Sequence, residues 1–204
     1  MKNVIRTALL VSAIAVATTA SAQFGNMPSL GGASSGTPAA DPAQIIKSMN
    51  QAVASLNSAN AAYFEAFGMK EKADAARRIA EQMRSGSLGV ESGISQTKAI
   101  SEDLFKAVNE KNEQKVKLSE SAKSKLSEGL AHHVAGTVEG IKGGKQFKSA
   151  MSSPAALASL SSVTAFPGLL QSWTSSTSQV LTVLSYNGID TRAAEKSIKQ
   201  GMAD

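Results

Sequence analysis

The sequence predicts an all-α protein. It reads as a single compact bundle of about six to seven helices at 41–204, behind a cleaved signal peptide at 1–22 and a flexible linker at 23–40. Three observations predict it. Apolar residues recur at steps of three and four in one segment after another, the repeat of a helix face. The strict two-residue alternation of a half-buried strand is not found at any length. The run 149–189 holds no Asp, Glu, Lys, Arg or His, whereas a solvated outer layer normally carries charge. That run is therefore expected as the inner layer of the bundle, with charged helices around it.

Composition sets the limits. The chain has 204 residues, enough for one domain with its own core. Aromatics make up only 4% of it, so the core must be built from Ala, Leu, Ile, Val and Met. Cysteine is absent, which excludes disulfides, zinc–thiolate sites and thiol chemistry. Formal net charge is +5, and about +3 once Lys2 and Arg6 leave with the signal peptide. So small a charge, evenly mixed with acids, argues against a nucleic-acid partner.

The first segment has the three parts of a secretory leader. Lys2 and Arg6 form a positive start, Ala8 to Ala17 an apolar stretch too short for a stable anchor, and Ala20-Ser21-Ala22 a small-residue cleavage site. Cleavage between Ala22 and Gln23 is expected, with a mature protein in the periplasm of a Gram-negative cell or, as the alternative, secreted further out. No later apolar run has transmembrane length, so no integral span is expected in the mature chain. The linker 23–40 is rich in Gly, Pro, Ser and Ala; as a flexible coil it would span about 20–25 Å.

Asp41-Pro42 is a helix start, with Asp as cap and Pro at the first position. Ile45, Met49, Ala52, Leu56, Ala59, Tyr63 and Ala66 then follow a 4-3-4-3 rhythm up to Gly68. A shorter helix runs to about Arg84, with Asp74 and Arg78 spaced as an ion pair. After the linker at 85–89, Ile94, Ile100, Leu104 and Val108 form one stripe. The wholly polar stretch 109–114 is either a hairpin turn or part of one long helix; the turn is preferred, because so long a helix would overhang a compact bundle.

The next helix carries Leu118, Ala122, Leu126, Leu130, Val134 and Val138. Steps of four wind this stripe around the helix, so it must touch more than one neighbour. Gly136 and Gly140 allow close backbone approach, and Gly143-Gly144 is expected to end the helix. Ser153-Pro154 starts another short helix, and Phe166-Pro167-Gly168 separates it from the next. There Leu170, Trp173, Thr177, Val180 and Leu184 form an apolar face, opposite a face of Ser and Thr hydroxyls. Hydroxyls can return a hydrogen bond to their own backbone, so such a face is cheap to bury. Asn187-Gly188 caps this helix, and a last one, with Glu195 and Lys199 four apart, runs to about Gln200.

No set of residues signals chemistry. Glu128 and His132 share a helix face and could share a metal, but no spacing supplies further ligands, and His133 points about 100° away. Ser95 and Lys98 match a Ser-x-x-Lys spacing, but the companion Lys-Thr-Gly is missing. Gly143-Gly144-Lys145 lacks the upstream glycine of a phosphate loop. Neither an enzyme nor a cofactor is expected. The expectation is an adaptor or chaperone-like interaction protein of the cell envelope, binding an envelope protein or a second copy of itself. The alternative is a carrier of an apolar ligand or lipid held between helices. The residues expected to face a partner or ligand are Leu170, Trp173, Ser176, Thr177, Val180 and Leu184.

Overall fold

Asp41 sets the first helix as its chemistry requires: its Oδ1 accepts from the Ala43 backbone N–H at 3.0 Å, and Pro42 follows at the first helical position. The structure, a computed structural model, describes residues 41–151 and 158–203. The leader, its cleavage site, the linker and the Ser153-Pro154 start lie outside the described residues. Among those described there are six helices and no strand: α1 Pro42–Ala66, α2 Lys70–Ser85, α3 Val90–Gln114, α4 Glu120–Ala150, α5 Phe166–Tyr186 and α6 Arg192–Ala203. A 3-10 turn at Ser161–Val163 precedes α5. The all-α compact bundle is thus the observed fold, and none of these helices is long and apolar enough to cross a membrane.

The inner element is α1, not the charge-free α5. From Ala52 to Phe64 every residue of α1 except Ser55 and Ser58 is buried, and α2, α3 and α4 all pack on it. Its composition permits this. Alanines bring neighbours close, and the Nδ2 groups of its buried asparagines find acceptors across the seam. Asn57 Nδ2 donates to Thr97 Oγ1 at 2.6 Å and Asn60 Nδ2 to Ser101 Oγ at 3.2 Å, joining α1 to α3. By contrast, α5 buries only one stripe, from Phe166 through Trp173 to Leu184. Its hydroxyl side stays partly or fully exposed. Absence of charge was the wrong criterion, because a hydroxyl is satisfied in water as well as in a core.

Two apolar clusters fill the interior, and both use the chain's few aromatics as well as the expected Ala, Leu, Ile, Val and Met. One gathers Tyr63, Phe64, Leu104, Leu126, Trp173 and Leu184. The other, towards the start of α1, gathers Met49, Val53, Met83, Phe147, Phe166 and Leu169. The winding stripe of α4 does touch several neighbours, since α1, α5 and α6 all pack against it. Gly136 is required there: a Cβ on it would lie 3.0 Å from the Leu56 backbone nitrogen.

Three local expectations are corrected. Residues 109–114 are the last turns of α3, and the hairpin turn follows them, opened by Lys115 at φ +49°. The turn is held from outside: Asn187, buried at the end of α5, accepts from the Leu118 N–H at 2.9 Å. Gly143-Gly144 does not end α4, which continues to Ala150; Gly143 lies against Ser48 and Met49 of α1, and that packing offsets about 1 kcal/mol per glycine of helix propensity. Asp74 pairs with Arg77 at 2.6 Å rather than with Arg78, and Arg77 also binds Glu65, tying α2 to α1.

The helix stops occur where their chemistry placed them. Gly68, Gly86 and Gly188 take the left-handed conformation just past α1, α2 and α5.

Candidate functional site

The residues singled out on α5 fall on two sides. Trp173, Val180 and Leu184 are in the core. Thr177 is buried as well, with its Oγ1 3.0 Å from His133 Nε2 on α4. Leu170 and Ser176 are half-buried, and the Ser176 hydroxyl donates to the Ser172 carbonyl at 3.1 Å. The apolar stripe that drew attention to this helix is therefore structural; the available side is the hydroxyl face.

His133 has no role at the surface. Its ring lies 4.7 Å from that of Trp173, centre to centre, and burial pushes its pKa down to about 3, so it is neutral. His132 is half-buried, its pKa lowered mainly by burial, and Glu128 is held by Lys125 at 2.9 Å. Among the described residues no group of three or more His, Asp or Glu is placed to hold a metal. Ser95 and Lys98 sit exposed on α3. Lys145, inside α4, donates to the Gly201 carbonyl at 3.1 Å and fastens the end of α6.

What the structure adds is a groove. Its floor is the hydroxyl face of α5 and one wall is α6, with Ile198, Lys199 and Met202. It has a volume of about 990 Å³ and is open along one side. A second depression of about 520 Å³ adjoins it, bounded by Phe147, Met151, Pro167 and Leu170. The two meet at Gln171, Thr174 and Met202. Among the described residues the large apolar side chains left exposed are Met151 at 48%, Met202 at 53% and Tyr186 at 36%. All three line this double groove.

The floor is chemically quiet. Thr174 donates to Leu170 O at 2.9 Å, Ser175 to Ser172 O at 2.8 Å and Thr182 to Ser178 O at 2.9 Å. With their protons engaged in their own helix, these side chains present methyl and methylene groups and spare acceptor lone pairs. Covering these three hydroxyls leaves none of their donors stranded, which lowers the desolvation cost of that part of the floor.

Of the six residues singled out on α5, Thr177 lines the larger groove and Leu170 the adjoining one. Ile198 and Met202 of the α6 wall were not singled out, although they lie four residues apart, at helical spacing. No protein-family model, curated protein or solved structure matches the chain.

Proposed function

We propose that this is a non-enzymatic adaptor or chaperone-like protein that holds a partner in the groove between α5 and α6. One observation carries the reading: the exposed large apolar side chains Met151, Tyr186 and Met202 converge on a single concave face with a hydroxyl floor. A monomer usually leaves such side chains scattered, and their convergence marks an interaction surface. The leader-like start, with its Ala20-Ser21-Ala22 site, supports placing that activity in the cell envelope, in a Gram-negative periplasm.

A photocrosslinking residue at Ser178, in the groove, tests this against one at Ser95, exposed on α3 and not part of the groove lining. The expected result is a discrete protein adduct from Ser178 and none from Ser95. Equal labelling at both positions would overturn the reading.

A second reading is favoured by the groove's size. At about 990 Å³ it reaches the upper end of small-ligand pockets, as a carrier of an apolar ligand would require. Native mass spectrometry of protein released by osmotic shock separates the two. A co-purified lipid or other apolar molecule supports the carrier.

A further inference from the structure

The groove has a sign. Its charged lining residues are Lys145, Lys148, Lys199 and Glu195. Glu195 accepts from the Thr191 hydroxyl at 2.8 Å and keeps its charge, so three lysines stand against one carboxylate and the lining is positive on balance. At the far end, the Lys117 ammonium lies 3.9 Å above the ring of Tyr186 and donates to that residue's carbonyl. Lysines therefore rim the apolar floor at both ends and on the α6 wall.

The floor also has a period. Gln171, Ser175, Ser178, Thr182 and Ser185 are all exposed, all line the groove and are spaced 4-3-4-3. That spacing draws a nearly straight seam along a helix and is the geometry against which a second helix packs. From Gln171 to Ser185 the seam is about 21 Å long, at 1.5 Å per residue. Its small side chains let a neighbouring helix come close, while Met151, Met202 and Tyr186 supply apolar area at the flanks.

Resting on the reading of the groove as an interaction surface, we propose that its occupant is an acidic amphipathic α-helix of a partner protein. The apolar stripe of that helix lies along the α5 seam, and its carboxylates meet the lysine rim. Charge decides against a second copy of this chain, because a two-fold interface would set the lysine rim against itself. The open side decides against an acyl chain, which would keep one flank in water, whereas a helix turns its polar face there.

The test uses the full chain and two helical peptides of about 15 residues, matched to the seam. Both carry leucine at alternating steps of three and four. One has glutamate on the flanks, the other lysine. Affinity is read by fluorescence anisotropy at low and high salt. The glutamate peptide should bind saturably and more weakly as salt rises, and the lysine peptide should not bind. Lys148→Glu with Lys199→Glu should weaken the glutamate peptide about tenfold and increase its dissociation at low salt. Ser178→Arg should weaken it as well. All three substituted residues are exposed, so circular dichroism melts should match the parent and confirm folding.

Failure of the glutamate peptide to bind, or equal binding of the lysine peptide, overturns the proposal. So does saturable binding of vesicles containing phosphatidylglycerol that Ser178→Arg abolishes, which would assign the groove to lipid. Concentration-dependent dimerisation lost in Ser178→Arg would assign it to a second copy. If the peptide fails but a discrete protein adduct still forms at Ser178, the interaction reading stands and only the acidic helix is wrong.

Discussion

The Nε2 atom of His133 and the Oγ1 atom of Thr177 lie 3.0 Å apart in the core, joining α4 to α5. Thr177 Oγ1 also lies 3.2 Å from the Trp173 carbonyl one turn back, as its donor. When that proton stays directed at the carbonyl, the hydroxyl offers a lone pair to the ring, and the tautomer with its hydrogen on Nε2 completes the bond. The pair thus positions α5, and with it the floor of the groove.

His133 makes stability depend on pH. Its folded pKa is about 3, against an ordinary value of 6.5, because burial disfavours the charged ring. The unfolded chain therefore binds a proton below 6.5 that the folded chain refuses. Stability is fully present above that pH and falls as pH drops towards 3. Between pH 7.5 and 5, above the ordinary carboxylate range, the loss should be about 2 kcal/mol. His132, also lowered, adds in the same direction. Urea titrations across this window should show the slope, and His133→Gln should flatten most of it. An unchanged slope in that variant would refute the assignment.

Adjacent residues on α5 should respond oppositely to charge. Thr177 is buried against His133, so Thr177→Glu must desolvate a carboxylate and should cost several kcal/mol, of the order of 3. Ser178 is exposed in the groove, so Ser178→Glu should stay within about 0.5 kcal/mol. Thermal melts of the two variants check this. A large loss in Ser178→Glu would mean that the hydroxyl face is buried.

Two glycines of α4 should differ in the same way. A Cβ at Gly136 would sit 2.7 Å from Leu56 Cδ2 and 3.0 Å from the Leu56 nitrogen, so Gly136→Ala should force α1 and α4 apart and cost about 1–3 kcal/mol. At Gly144 the nearest atom is Leu170 Cδ2 at 3.6 Å, an ordinary contact. Gly144→Ala should be neutral or stabilise by up to about 1 kcal/mol through helix propensity. Chemical denaturation midpoints for the pair measure the difference.

The leader is tested separately. N-terminal sequencing of protein from an osmotic-shock fraction should begin at Gln23, after cleavage at Ala22. Recovery of intact Met1, or of the protein only in the cytoplasm, would rule out the periplasmic placement.

Features set by neighbouring residues were legible in the sequence. Asp41 and Pro42 start α1, and Gly68, Gly86 and Gly188 stop three helices, because caps and left-handed turns are chemistry over a few residues. The apolar face of α5 was legible for the same reason: periodicity needs no partner to be seen. Tertiary structure alone decided which helix is central. The Ala-rich α1 can be enclosed because Thr97 and Ser101, 40 and 41 residues away, meet its asparagines. It alone carried α4 through Gly143, which Met49 and Ser48 support from the other side. It alone set α6 beside the hydroxyl face of α5, so that Met202 and Ser178 line one groove. In each case the deciding contact joins residues far apart in the chain, and only folding brings them within van der Waals range.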